Sequence, residues 1–316
     1  MRVVGHYPLF VLSLILTPVL FNSARAQTTP VSPSTAESVK SSVVGDLRLH
    51  QFKSRIFGNT RTIRVLLPPG YGERANRKTR YSVLYLQDGQ NLFDATTSVF
   101  NHLEWQVDEA VDALLKDGAI EPLIVVGVDN AGRSLRANEY LPYPDAYLRP
   151  PLPNPLGYKY PDFLIKEVMP FINRHYRTKM DAEHTGLGGS SYGALIALYT
   201  VIIRPGVFGR LLLESPSLYV SEGQVIEQSQ GVRKWPGKVY IGVGTNEGGR
   251  ADCKPGDLNR EAVQDALRLE RVLETAGVTG GRLKVVVDEC ATHNESAWAK
   301  RFPAALEFLY RKLRDQ

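Results

Sequence analysis

Cysteine is almost missing from this sequence: Cys253 and Cys290 are the only two among 316 residues. A single pair is too few for a disulfide-scaffold mini-protein or a four-cysteine zinc site. A one-sided charge is missing as well. Lys+Arg is 38 against Asp+Glu 33, a formal net charge of +5, and no basic run stands out. Nucleic acid is therefore not an expected partner. No apolar run reaches the roughly 20 residues that a membrane-spanning helix requires, and no repeat of fixed period is visible. Hydrophobic residues make up 43% and charged residues 22%. That balance is ordinary for a globular chain and excludes a wholly disordered, collagen-like or polytopic membrane protein.

Residues 1–26 read as a secretory signal. Arg2 supplies a positive start, Pro8 to Phe21 is apolar, and Ala24-Arg25-Ala26 is a small-x-small cleavage site. The mature chain is expected to begin at Gln27. No cysteine follows that site, so no stable membrane anchor is expected. The destination is periplasmic or extracellular, and oxidising. Residues 27–42 form a Ser/Thr/Pro tract with few apolar side chains to offset ordering entropy, and read as a disordered lead-in. Residues 43–316 contain no linker and read as one domain.

Within that domain, strand and helix patterns alternate. Thr62 to Leu67 is a strand closed by Pro68-Pro69-Gly70. Ser82 to Leu86 and Leu123 to Val128 are short apolar runs, as expected for strands buried on both faces. Further strands are expected at Thr185 to Gly188, Leu211 to Leu213, Val239 to Val243 and Leu283 to Val287. Helical patterns fall between them, at Trp105 to Leu115, Asp162 to Tyr176, Tyr192 to Ile203, Leu258 to Thr275 and Ala297 to Leu313. This order predicts an α/β fold: a mostly parallel sheet, an antiparallel N-terminal edge, and helices on both faces. The segment Pro142 to Pro161 stands apart. It mixes Tyr143, Tyr147, Tyr158 and Tyr160 with seven prolines, and reads as a wall of a binding cleft.

Gly189-Ser190-Ser191-Tyr192-Gly193 matches G-x-S-x-G and lies between a predicted strand and a predicted helix. That is the context of a nucleophile elbow, where small flanking residues let the serine stand clear of the sheet. Ser191 is the expected nucleophile. A serine needs a base, and on this fold the order is serine, acid, histidine. Of the six histidines, only His293 lies beyond Ser191, after the Leu283 to Val287 strand. The acid should follow the Val239 to Val243 strand. Glu247 is the first carboxylate there, with Asp252 and Asp257 as rivals. The oxyanion needs backbone N–H donors. Tyr192, next to the nucleophile, is one. Gln90, in the loop after Ser82 to Leu86, is the other. Trp105, Arg136 and Tyr140 are candidate substrate-binding residues. Neither a metal nor another cofactor is expected.

These residues resemble the putative-esterase family of α/β-hydrolases, which includes enterochelin esterase-like enzymes, esterase D, feruloyl and acetylxylan esterases, and the secreted mycolyltransferases. The resemblance rests on Tyr85 to Asp94, Gly189 to Gly193, Gly244-Thr245-Asn246-Glu247, and His293-Asn294-Glu295 with Trp298. Val125 to Asn130 followed by Arg136 to Tyr140 fits it too. It implies the α/β-hydrolase fold and cofactor-free hydrolysis of carboxylic esters. The expected partners are small-molecule or carbohydrate esters: small acyl or hydroxycinnamoyl esters of sugars, or siderophore-type lactones. Acyl transfer to a carbohydrate, and carbohydrate binding without catalysis, are the alternatives. The chain departs from the family at Gln87, where His is common, and at Ala194, where a second Gly is common. The oligomeric state stays open.

Cys253 lies on the loop after the Glu247 strand, and Cys290 ends the next strand, three residues before His293. Consecutive parallel strands are often neighbours, and the expected compartment is oxidising. A Cys253–Cys290 disulfide joining the acid loop to the histidine loop is therefore predicted. The export reading is checked by N-terminal sequencing of the secreted protein. The first residue is expected to be Gln27, and retention of residues 1–26 refutes the cleavage site.

Overall fold

The computed structural model describes residues 40–312 apart from 100, 101, 146, 147 and 259. The predicted signal at 1–26, most of the 27–42 lead-in, and Tyr147 lie outside the described residues. Ser41 and Ser42, at the end of that lead-in, are hydrogen-bonded to Asp94 and Glu104.

Eight strands form one sheet: β1 (Asp46–Lys53), β2 (Thr60–Leu67), β3 (Ser82–Gln87), β4 (Leu123–Val128), β5 (Thr185–Ser190), β6 (Arg210–Glu214), β7 (Lys238–Gly244) and β8 (Leu283–Asp288). Their spatial order is β1-β2-β4-β3-β5-β6-β7-β8. The pairs β1–β2 and β2–β4 are antiparallel, and every later pair is parallel. This is the α/β-hydrolase architecture expected from the sequence, antiparallel N-terminal edge included. The helices are α1 (Val107–Lys116), α2 (Arg133–Tyr140), α3 (Tyr160–Phe163), α4 (Met169–His175), α5 (Tyr192–Ile203), α6 (Gln224–Ser229), α7 (Glu261–Thr275) and α8 (Glu295–Tyr310). A π-helical stretch, Leu164–Val168, joins α3 to α4.

The central strands are apolar at every position because each face has its own core. Val83 and Tyr85 of β3, Leu211 and Leu213 of β6, and Val239 and Ile241 of β7 point into one cluster with α5 and α7. Leu84 and Leu86, Leu212, and Tyr240 point the other way, onto α1 and α8. Period-two alternation thus sorts one continuous apolar run into two layers. The helices supply matching stripes: Val107 and Val111 on α1, and Val263, Ala266, Leu269 and Leu273 on α7, are buried at helical spacing. Helix α5 carries nine buried residues, as its unbroken apolar sequence requires. No helix among the described residues is long and apolar enough to cross a membrane.

An acidic group is trapped at the rim of the second layer. Asp108 of α1 is buried, and its Oδ2 accepts the Val44 N–H at 2.6 Å. Burial pushes its carboxyl well above the usual carboxylate range, against that N–H, and neighbouring Glu109 pushes it further. The native state therefore holds a proton that the unfolded chain releases. The Asp108 contribution is complete below the ordinary carboxylate range and is lost as pH rises above it. Asp108→Asn should raise the melting temperature above neutral pH, by about 2–4 °C for each kcal/mol regained, with the gain shrinking as pH falls toward the ordinary carboxylate range. Thermal denaturation across a pH series checks this, and a gain independent of pH contradicts it.

Candidate active site

The sharpest backbone feature lies between β5 and α5. Ser191 has φ 56° and ψ −127°, a conformation that costs an ordinary residue about 1–3 kcal/mol. The turn closes only because its flanks lack side chains. A Cβ at Gly189 would lie 2.8 Å from the Gly193 carbonyl carbon, and one at Gly193 would lie 3.0 Å from Gln87 Cβ. Ser191 N–H donates to the Glu214 carbonyl at 3.0 Å. Its hydroxyl stands at the C-terminal end of the parallel strands, half-buried.

The loops after β7 and β8 meet at the same end of the sheet. His293 Nδ1 lies 2.6 Å from Glu247 Oε2. The rivals are elsewhere: Asp252 pairs with Arg250 and Asp257 with Arg260. Glu247 Oε1 accepts the Gly244 N–H at 2.5 Å and the Ser215 hydroxyl at 2.7 Å. Burial pushes the Glu247 carboxyl up, but the His293 hydrogen bond and charge, the Gly244 N–H and the Ser215 hydroxyl outweigh it and hold the carboxyl below its usual range. A carboxylate at Nδ1 fixes the imidazole tautomer and leaves Nε2 as the free nitrogen. Trp298 stands edge-on to the His293 ring, with centroids 5.2 Å apart at 85°. Its Nε1–H donates to Ser215 Oγ at 2.9 Å.

A serine nucleophile and its base should stand within hydrogen-bond reach, but no hydrogen bond joins Ser191 to His293. Among the described residues, the Ser191 hydroxyl is 3.4 Å from the Ser217 hydroxyl, which the loop after β6 brings beside it. Catalytic hydrogen bonds are often long until a substrate binds.

The loop after β3 is a short 3₁₀ turn, Gly89–Asn91, preceded by Asp88 in the left-handed region at φ 57°. A Cβ at Gly89 would come within 2.7 Å of the Gly127 carbonyl carbon, so the turn lies directly on β4. Asp88 is held by Arg136 Nε and Nη2, both at 2.8 Å, and by Asn130 Nδ2 at 2.7 Å. Gln90 and Tyr192 each lie in the first turn of a helix, where N–H groups lack an intrahelical acceptor. The Tyr192 N–H follows Ser191 in the chain, and the Gln90 N–H lies in the turn after β3, the strand paired with β5.

A serine on a strained elbow and a carboxylate-paired histidine at the same end of the sheet are residue types that acyl transfer requires. The family model for Putative esterase matches residues 54–309. The chain belongs to this family. It is similar to the uncharacterized protein YbbA of Bacillus subtilis strain 168, at 23% identity over 86% of this chain and 98% of that protein. It is also similar to an endo-1,4-beta-xylanase/feruloyl esterase of Xylanibacter ruminicola, at 24% identity over 84% of this chain and 32% of that protein. Among solved structures, a ferulic acid esterase matches with a TM-score of 0.60 and 18% identity, over 84% of this chain and 98% of that one. The ferric enterobactin esterase of Salmonella typhimurium gives 0.60 and 18%, over 84% of this chain and 58% of that one. At such identities the structures share the fold.

Two of the expected substrate-binding residues are not at a cleft. Trp105 is 2% exposed and packs against Trp298 and Phe302 in the core. Tyr140 is fully buried; its hydroxyl accepts the Asp88 N–H at 3.2 Å and its ring meets Tyr160 edge-on. A large aromatic ring gains more from complete burial than from a half-open wall. Arg136 keeps part of its surface but is committed to Asp88 and lies over the Tyr140 and Tyr192 rings. The proline-rich segment is also more tightly packed than its composition implies. Tyr143 and Tyr160 are buried, while Tyr158 is exposed. The Tyr160 hydroxyl donates to Gln87 Oε1. Asp145 accepts the Tyr192 hydroxyl, so the segment docks on the residue beside Ser191. Between it and the loop after β6 lies a cavity of about 670 Å³, lined by Asp145, Leu152, Tyr219, Glu222 and Glu261. Neither this cavity nor one of about 680 Å³ between α6 and α7 is lined by Ser191, Glu247 or His293.

Sequence reasoning missed Ser215, Ser217 and the layer beneath them. Buried Glu214 is paired with Arg301 at 2.7 Å, and Arg301 also reaches Asp288 at 3.3 Å and Ser215 Oγ at 3.4 Å. Burial raises Glu214 to about 7, against the pull of Arg301. Glu214 ends the buried strand β6 and Ser215 follows it directly, the one signal that could have singled the pair out.

Cys253 and Cys290 are joined by a disulfide, with Cα atoms 5.7 Å apart. Asn246 N–H to Ala291 O at 3.1 Å and Cys290 N–H to Thr245 Oγ1 at 2.8 Å hold the same two loops together. The bridge closes a separation of 37 residues, for which the chain-entropy model gives at most about 4 kcal/mol. Reduction should lower turnover before it unfolds the domain, because the loops it frees carry Glu247 and His293. Ester hydrolysis and circular dichroism along a reductant titration check this. Simultaneous loss of both signals contradicts it.

Proposed function

We propose that the protein is an exported serine carboxylic-ester hydrolase. The observation that carries the reading is the His293–Glu247 pair at 2.6 Å, on loops at the end of the sheet where the elbow presents Ser191. In this mechanism the Ser191 hydroxyl attacks the ester carbonyl carbon and His293 Nε2 takes its proton. Glu247 holds Nδ1–H and stabilises the imidazolium. The Gln90 and Tyr192 N–H groups bind the oxyanion, each contributing about 2.7–4 kcal/mol to the transition state. The C–O bond to the alcohol then breaks, with the proton passing from Nε2 to the leaving oxygen. Water activated by His293 releases the acid and restores Ser191. The disulfide supports export, since such bridges persist in oxidising compartments.

The substrates proposed are small acyl or hydroxycinnamoyl esters of sugars, with siderophore-type lactones as the second class. The likeness to an endo-1,4-beta-xylanase/feruloyl esterase and to a ferulic acid esterase structure supports the first. The carboxylate-paired His293, at the same end of the sheet as the elbow serine, favours an enzyme over a binding protein on this fold.

Ser191→Ala should reduce kcat/KM on p-nitrophenyl acetate by about 10⁴-fold or more without altering the fold. Acetyl and feruloyl sugar esters should turn over faster than long-chain esters. An unchanged rate in Ser191→Ala refutes the mechanism, and faster turnover of long-chain p-nitrophenyl esters refutes the substrate class.

A further inference from the structure

Glu295 follows His293 by two residues and is 3% exposed. The mechanism above does not use it. It is the first residue of α8, immediately after the Asn294 N-cap. Its Oε1 accepts a hydrogen bond from Asn91 Nδ2 at 3.4 Å, linking residues 204 positions apart in the chain. Asn91 ends the turn that presents the Gln90 N–H. On one side of this carboxyl is the turn for the oxyanion, and on the other is the loop that carries the base. We propose that Glu295 is a positioning residue: it ties the Gly89–Asn91 turn to the His293 loop, so that the Gln90 N–H and the His293 ring meet the same acyl carbonyl. The proposal rests on the serine-esterase reading.

The charged groups facing Glu295 are Asp88 from the turn, Arg136 from α2 and His293 from its own loop. Burial, with help from Asp88, pushes the carboxyl up to about 7, while its own backbone N–H, Arg136 and His293 pull it down. This gives the tie a signature that mere packing lacks. The tetrahedral intermediate places negative charge beside the turn, and an ionised Glu295 opposes that charge where the dielectric is low. A neutral Glu295 does not. Turnover should therefore fall as pH rises through about 7, to the extent that Glu295 loses its proton. An amide at this position stays neutral at every pH.

The test uses wild type, Glu295→Gln, Glu295→Ala, Asn91→Ala and the Asn91→Ala/Glu295→Ala double variant. Hydrolysis of p-nitrophenyl acetate is followed over a pH series, and Ser191 is labelled stoichiometrically with a p-nitrophenyl phosphonate. Glu295→Ala is expected to lower kcat between about ten- and a hundred-fold, with little change in KM. Glu295→Gln should recover most of that turnover, and its kcat relative to wild type should rise with pH. The double variant should be no slower than the slower single one, because both remove one tie. A ratio of Glu295→Gln to wild type that stays flat with pH, or single losses that multiply in the double variant, overturns the proposal. If Glu295→Ala does not fold, the near-isosteric Glu295→Gln profile decides alone. Phosphonate labelling that persists in Ser191→Ala overturns the esterase reading and the proposal together. Labelling that requires Ser191, with a flat ratio, overturns the proposal only.

Discussion

The backbone turn at Ser191 is the constraint on which the rest of the site depends. A residue held at φ 56° and ψ −127° relaxes unless its surroundings hold it in place. Here they do so from both sides. Strand β5 is hydrogen-bonded to β3 and to β6, and α5 is packed into the larger core along most of its length. A strand paired on both edges and a helix buried in the core cannot shift to relieve one strained residue. The elbow therefore inherits its geometry from the whole sheet. The parallel register then carries the ends of β7 and β8 to the same end of the sheet, so Glu247 and His293 need only short loops to reach it.

Beneath this layer, charge is arranged at some cost. Glu214 and Arg301 are almost completely buried, and a buried ion pair of this kind is rarely a net source of stability. Its position suggests a different use. Arg301 reaches Glu214, Asp288 and Ser215, while Ser215 in turn donates to Glu247. The pair acts as a rigid underside for the Glu247 carboxylate. Ser215 itself takes φ 42°, a second strained serine one strand away from the first. Both strained positions lie where side chains must be aimed rather than merely packed.

The parts of this arrangement legible in the sequence are those with local physical signatures. Apolar runs such as Leu123 to Val128 announce strands buried on both faces, and small residues around Ser191 announce a tight turn. The lone downstream His293 follows from chain order. Trp105 and Tyr140 were misread because an aromatic residue looks the same in sequence whether it lines a cleft or fills a core. Burial against Trp298 and Phe302 is a long-range fact with no local trace. Ser215 and Ser217 are likewise invisible, since a hydroxyl gains its meaning from partners 32 and 26 residues away. Charged residues are seldom fully buried, so nothing in the sequence marks Glu214 and Arg301 as interior. The short helix α6 carries too few turns for its periodicity to stand out.

The Cys253–Cys290 bridge has a consequence beyond the site. Strand β8 is the last in the sheet order and pairs on one side only. Its sequence, Leu-Lys-Val-Val-Val-Asp, is β-branched and mostly apolar, the composition that templates strand addition between molecules. The bridge anchors the C-terminal end of this edge to the loop beyond β7. The cysteines thus brace the open edge of the sheet as well as the loops that carry Glu247 and His293.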